Sequence, residues 1–382
     1  MPAAAPPAGI VRYAEAALSD LMPSALSALG VPGERNPLRL PAAECVVVLL
    51  VDGLGWNLLR EHESAAPFLA GLPGRALTAG FPTTTASSLA SLGTGLPSGE
   101  HGITGYTSLV AGLREPVNWL RWQAEGGADL LDRLVPERLQ SRPTAFERGA
   151  GAGLAVSVVS SRDFQGSGLT RAVLRGGTYR PVVTAADLAS TVAEAARADR
   201  PSLVYCYLGE LDLIGHGYGC RSQAWRVQLA LIDRAVELLA ERLPAGARLV
   251  VTADHGMVDV PVAARHDYDA EPALSEGVRA LAGEARVRYV HVEPGRLEEV
   301  RCRWQERLGD RFAVLDRDEA VARGWYGPSV APAAYDRIGD LVVLALAEGA
   351  VVRSRAEPRL SALIGQHGAL TGDELLVPLL LR

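Results

Sequence analysis

Four short apolar runs, each rich in β-branched residues and most of them followed by a longer amphipathic stretch, restrict this 382-residue chain to a small set of architectures. They read VVVLLV up to Val51, LAVSVVS from Leu154, LVYCYL from Leu203 and RLVVTA from Arg248. None alternates apolar with polar residues, which is the pattern of parallel strands covered on both faces. Between them, Ala185 to Ala196 stands behind the cap signal Thr184, and Gln223 to Arg242 carries Leu229, Ile232, Val236 and Leu239 at helical spacing. This alternation predicts an α/β fold, a central mainly parallel sheet flanked by helices.

The flanking segments divide the chain further. Tyr13 to Leu29 has helical spacing broken by Pro23, and Gly30 to Pro41 is a connector, so residues 1–40 read as an N-terminal helical extension to a core at 41–260. After Met257 the texture changes to a strand at Val287 to Val292, a charged helix at Arg296 to Arg307, a strand at Phe312 to Leu315 and a helix near Asp318 to Arg323. Residues 261–338 therefore read as a small α+β inserted subdomain. Strands at Leu341 to Ala347 and Leu375 to Leu381 are expected to return to the central sheet, closing the core over 339–382.

Composition removes several functions. All 38 cationic side chains are arginine, so a Schiff-base lysine, a pyridoxal phosphate anchor and a P-loop lysine are excluded. A net charge of −6 gives no electrostatic case for a nucleic-acid partner. With 48% hydrophobic residues the chain buries a sizeable core rather than remaining disordered. Met1 to Gly9 shows no basic region and leads into no continuous apolar segment, and Cys45 to Val51 is too short to span a bilayer, so a cytoplasmic location and no membrane partner are expected. Cys45, Cys206, Cys220 and Cys302 form no CxxC pair and read as small hydrophobes.

Acids and imidazoles collect where an open α/β sheet places its crevice, after the strands. Asp52 ends the first run, Asp212 and His216 follow LVYCYL, Asp254 and His255 end RLVVTA, and His367 precedes the last strand. The histidines are read as lying in Gly-flanked loops, where glycine allows tight turns. Asp and His without Cys suit Zn²⁺ or Mn²⁺, and six ligands suffice for two ions. Two such ions clamp the oxygens of an in-line displacement at phosphorus. The hydroxyl cluster FPTTTASSLASLGTG, from Phe81, opens an apparent helix whose N-terminus favours a phosphoryl oxygen, with Thr83, Thr84 and Thr85 all open as nucleophile. Glu100 and His101 are read as shaping a turn, and His62, His266 and His291 as having no catalytic part.

Taken together, VDGLG, FPTTTASSLASLGTGLPSGEHGITGY, DLIGHG, TADHGM and GQHGAL resemble the type I nucleotide pyrophosphatase/phosphodiesterase branch of the alkaline phosphatase superfamily. The resemblance implies an alkaline phosphatase-like fold and hydrolysis of a phosphodiester or pyrophosphate bond on a small phosphate ester, nucleotide-like in character. It implies two divalent cofactor ions, Zn²⁺ foremost and Mn²⁺ second, and makes Thr85 the nucleophile. One ion falls to Asp212, His216 and His367, and the other to Asp52, Thr85, Asp254 and His255. The chain departs from the family at Tyr106, where relatives carry an asparagine that holds a phosphate oxygen, and at Ala86 to Leu89. Tyr106 or Asn118 is expected to supply the missing contact. Rival readings are a phosphomonoesterase, phosphonate hydrolase or phosphomutase of the same superfamily, and a non-catalytic metal-stabilised binding module.

Overall fold

The computed structural model describes residues 10–197 and 201–382; the reading of Met1 to Gly9 as lacking a leader lies outside the described residues. Its two larger sheets are built from β1 (Cys45–Val51), β2 (Gly74–Thr78), β3 (Ala155–Ser161), β4 (Thr178–Val182), β5 (Ser202–Leu208), β6 (Ala247–Thr252), β7 (Val278–Glu284), β8 (Val287–Val292), β9 (Phe312–Asp316), β10 (Leu341–Ala345) and β11 (Leu376–Leu381). The helices that matter below are α1 (Leu21–Ala28), α2 (Thr85–Thr94), α3 (Ala185–Arg197), α4 (Glu210–Tyr218), α5 (Gln223–Arg242) and α6 (Leu297–Leu308).

The central sheet has the order β2-β11-β6-β1-β5-β3-β4. β1 runs parallel to both neighbours, β5 and β6, and only β11 runs against the others. All seven residues of β1 are buried, as a strand in the middle of a doubly covered sheet requires. The register fixes where the chain leaves the sheet: Val51 lies opposite Leu208, Leu50 opposite Thr252, and the Asp52 amide donates to the Leu208 carbonyl at 2.9 Å. The residues after β1, β5 and β6 therefore emerge side by side on one edge. The expected helices appear at α3 and α5, and α1 packs into the main core through Leu21, Met22, Ala25 and Leu26. Pro23 sits in the first turn of α1, where no intrahelical N–H donor is lost, rather than breaking it. No helix among the described residues is long and apolar enough to cross a membrane.

The inserted region forms a second, antiparallel sheet, β7-β8-β10-β9, backed by α6. Here the structure corrects one strand. Leu341–Ala345 does not return to the central sheet but pairs with β8 and β9 as β10. The reason is physical: an inner strand of this sheet is also buried on both faces, so its five apolar residues read like a central parallel strand. The closing strand β11 does return as expected, between β2 and β6. The second sheet has its own core around Tyr289, Trp304 and Tyr326, which also takes in Phe81 from the segment leading to α2. Thr107 donates to the Gly283 carbonyl at 2.8 Å and Tyr289 to the Thr104 carbonyl at 2.6 Å, fastening this sheet to the core.

A buried ion pair completes the attachment. Arg286 and Glu374 are both fully buried and meet in a two-pronged contact of 3.0 and 2.6 Å. Arg286 also donates to the Ala347 and Gly349 carbonyls, while Glu374 accepts from the Ala369 amide and the Thr371 hydroxyl. Because every prong is engaged, removing one partner strands a buried charge; Glu374→Gln is expected to cost about 3 kcal/mol in urea unfolding. His101 supplies a pH signature. Its Nδ1 accepts from the Ile103 amide and its Nε2 therefore donates to Ser91. Burial, with Arg337 adding to it, pushes this imidazole down to about 3. The unfolded chain thus takes up this proton first, so the group's contribution is present above pH ~6.5 and is lost as pH falls toward 3. His101→Gln is expected to flatten the acid limb of stability between pH 4 and 6.5, by at most about 1.4 kcal/mol per pH unit.

Candidate active site

The edge where β1, β5 and β6 end gathers all six metal-type side chains. Asp52 follows β1; Asp254 and His255 follow β6 and are fully buried. Asp212 and His216 lie on α4, one turn apart, with His216 Nε2 3.2 Å from Asp212 Oδ2. This corrects the loop expected around His216: the four-residue spacing places both side chains on one helix face, and Gly215 allows Met257 Sδ to approach where a Cβ would lie 2.4 Å away. His367 arrives after the second sheet and stacks on His255 with ring centroids 3.6 Å apart.

The three imidazoles are oriented alike. Nδ1 of His216 lies 2.7 Å from the Gly365 carbonyl, that of His255 3.0 Å from the Gly256 carbonyl, and that of His367 2.8 Å from the Thr83 carbonyl. A carbonyl can only accept, so each Nδ1 carries a proton and each Nε2 is turned toward the acids. His255 Nε2 lies 3.5 Å from Asp52 Oδ1 and 3.4 Å from Asp254 Oδ2, and His367 Nε2 lies 3.9 Å from Asp212 Oδ1. Donor atoms of Asp212, His216 and His367 fall within 4.8 Å of one another, and so do those of Asp52, Asp212 and His255. Asp212 stands between the two groups.

These residues fit divalent cations. Asp52 Oδ1, Asp212 Oδ1 and Asp254 Oδ2 are buried without a hydrogen-bond partner among the described residues, an arrangement that is costly unless a positive charge meets them. Burial, then the nearby Asp254 and Asp212, pushes the Asp52 carboxyl well above its ordinary range, although Tyr207 donates to it. Burial would raise Asp212 too, but His216 and His367 outweigh it and hold this acid below the usual range. Burial lowers His367 well below an ordinary imidazole, with His255 adding to the shift.

The three candidate threonines separate by contact. Thr83 Oγ1 donates to the Ala369 carbonyl at 2.8 Å and accepts from the Gly368 amide, whereas Thr84 lines the same cleft as Thr85. Thr85 is the first residue of α2, with Thr84 at the N-cap, and its Oγ1 lies 3.2 Å from His255 Nε2. A cleft of about 510 Å³ opens over it, lined by Thr85, Asp212, His216, Glu284 and His367. Tyr106 also lines this cleft; its hydroxyl accepts from Asn118 Nδ2 at 2.7 Å, while Asn118 itself lines an adjoining cavity.

Two neighbours of the cluster escaped the sequence reading. Tyr207, whose hydroxyl caps Asp52, lies within an apolar strand and reads as packing. Glu284 ends β7 with Oε2 3.6 Å from His367 Nδ1 and Oε1 unpartnered, and burial, only partly offset by Thr84 and Arg288, lifts its carboxyl well above the ordinary range. An acid at a strand end is the signal that marked Asp52, but β7 belongs to the inserted sheet.

Comparisons with known proteins agree with this geometry. Residues 46–370 match the family described as Type I phosphodiesterase / nucleotide pyrophosphatase. No curated protein matches the chain. Among solved structures, murine ectonucleotide pyrophosphatase/phosphodiesterase 5 shares 20% identity at a TM-score of 0.70, covering 87% of either chain. An inactive threonine-to-alanine form of that murine protein, in complex with AMP, aligns at 19% identity, a TM-score of 0.70 and 87% of either chain. Phosphonoacetate hydrolase from Sinorhizobium meliloti 1021 shares 21% identity at a TM-score of 0.64, over 91% of this chain and 92% of its own.

Adding Zn²⁺ or Mn²⁺ to chelator-treated protein is expected to raise the unfolding temperature, by an amount equivalent to about 2.7 kcal/mol at a hundredfold excess over Kd. Asp212→Asn is expected to remove most of this response in a thermal-shift titration, because Asp212 contributes to both donor groups.

Proposed function

Because the chain belongs to the type I phosphodiesterase/nucleotide pyrophosphatase family of phosphoric ester hydrolases, we propose that it cleaves a phosphodiester or pyrophosphate bond of a small nucleotide-like substrate, with Thr85 as nucleophile. The observation that carries the reading is the position of Thr85 Oγ1 in the cleft, 3.2 Å from His255 Nε2, while the Thr83 hydroxyl is engaged by the Ala369 carbonyl and the Gly368 amide. Asp212, His216 and His367 would hold one divalent ion; Asp52, Thr85, Asp254 and His255 would hold the other. The N/O donor set favours Zn²⁺, with Mn²⁺ second. Bound there, such ions supply the positive charge that makes a threonine alkoxide accessible near neutral pH and offsets charge on the phosphoryl oxygens.

The chain's own groups do the rest. With its hydroxyl proton given up to solvent, Thr85 Oγ forms a bond to phosphorus as the bond to the leaving oxygen breaks, and the electron pair departs with that oxygen. Free N–H groups of the first turn of α2 point at a phosphoryl oxygen and stabilise its charge. Tyr106 accepts its hydrogen bond from Asn118, which leaves its own proton to donate to the same phosphoryl group. Water then attacks phosphorus of the phosphothreonine as the P–Oγ bond breaks; the phosphoryl group leaves with the water oxygen, and Thr85 Oγ regains a proton from solvent. The AMP-bound relative, inactive when a threonine becomes alanine, supports both the nucleotide-like substrate and the choice of nucleophile.

Thr85→Ala is expected to lower turnover of bis(p-nitrophenyl) phosphate by about 10³-fold or more while leaving the metal content near that of the parent protein. Retained activity would remove Thr85 from this role. The parent protein is also expected to prefer this diester to p-nitrophenyl phosphate; the reverse preference would overturn the diesterase reading.

A further inference from the structure

The cleft over Thr85 does not end at the cluster of metal-type side chains. A second cavity of about 310 Å³ adjoins it, and Tyr106, Arg121, Glu357, Arg359 and Leu360 line both. Thr85, Asp212, His216 and His367 line the first alone. The shared residues therefore form the wall that a substrate reaching past the reacting phosphorus must touch.

The arginines of this wall fall into two kinds. Arg288 donates to Glu357 Oε2 at 2.8 Å and to Oε1 at 3.3 Å. Arg353 meets Glu125 at 2.7 Å and Glu357 at 3.6 Å. These two neutralise the nearby acids and are structurally committed. Arg121 and Arg359 are exposed, line both cavities and have no carboxylate partner among the described residues. Every other arginine lining either cavity has one. Two unpaired guanidinium groups on one concave wall suit an oxyanion, which each fork can bind through two parallel N–H donors.

We infer that Arg121 and Arg359 form a subsite for a second anionic group of the substrate, phosphate or carboxylate, beyond the reacting phosphoryl group. The inference rests on the hydrolase reading above and narrows its substrate class: a compound with one ester phosphate and neutral substituents leaves both arginines unused. The pair acts on substrate affinity, since neither residue belongs to the group around Thr85.

The test uses three substrates. Bis(p-nitrophenyl) phosphate carries a single charge, 4-carboxyphenyl 4-nitrophenyl phosphate adds a carboxylate, and ATP adds phosphates. In the Arg121→Ala/Arg359→Ala protein, KM for at least one of the doubly anionic substrates is expected to rise about tenfold or more relative to its change on bis(p-nitrophenyl) phosphate, with kcat changed by less than about threefold. The affected arm identifies the anion. An equal change on all three, or no change on any, overturns the subsite. Both side chains are exposed, so folding is not at stake, and circular dichroism confirms it. Turnover of the singly charged diester by the parent protein tests the underlying reading separately. If the parent protein cleaves none of the three, both readings fall; cleavage without arginine dependence removes the subsite alone.

Discussion

Three carboxylates crowded at the end of a dry sheet set the terms for everything around them. Asp52, Asp212 and Asp254 each present a buried oxygen with no hydrogen-bond partner among the described residues. Burial, and then the nearby Asp254 and Asp212, push the Asp52 carboxyl above its ordinary range. The fold holds them there with the strongest means available to it: β1, buried along its whole length, has parallel neighbours on both sides, and its register delivers the acids to one edge. Hydrophobic burial in the sheet thus offsets an electrostatic arrangement that unfolding would relax. A cation held there would reverse the sign of that arrangement and so couple ion binding to folding.

Much of the site was legible because strand ends are legible. Asp52, Asp254 and His255 follow directly from apolar runs, and an open parallel sheet sends such residues to its crevice. Asp212 and His216 were recognised as chemistry but misplaced in shape: glycines on both sides of His216 suggested a loop, whereas the four-residue spacing is a helix period and the helix forms. The threonine run shows what residue types alone leave open. Thr83, Thr84 and Thr85 are chemically identical, and only the contacts distinguish them. Leu341–Ala345 and Glu284 were obscured for a common reason. Both belong to the inserted sheet, whose inner strand looks like a core strand and whose strand end looks like an isolated surface acid.

The absence of lysine acquires a structural meaning in that inserted sheet. Arg286 and Arg288 are almost completely buried, and each bonds a carboxylate through two nitrogens while donating to backbone carbonyls as well. An ammonium group has three donors on a flexible stem and would leave part of this geometry unmet. Arg337 is similar: mostly buried, it donates to the Gly102 carbonyl and lies over the Trp119 ring. Planar guanidinium groups bridge the inserted sheet, the closing segment and the Gly102 turn at places where a point charge would not.

The Arg286–Glu374 pair has a mechanical side as well. Glu374 precedes β11 by two residues and accepts from the Ala369 amide close to His367, while Arg286 lies between β7 and β8. The inserted sheet is thereby riveted to the same short segment that carries a metal-type histidine, and Thr107 and Tyr289 add further rivets. Swinging the sheet away would tear buried charge-assisted bonds and displace His367 at once. It is therefore built as a fixed wall rather than a lid, and Glu284, Ala285 and Arg288 of that wall line the cleft directly.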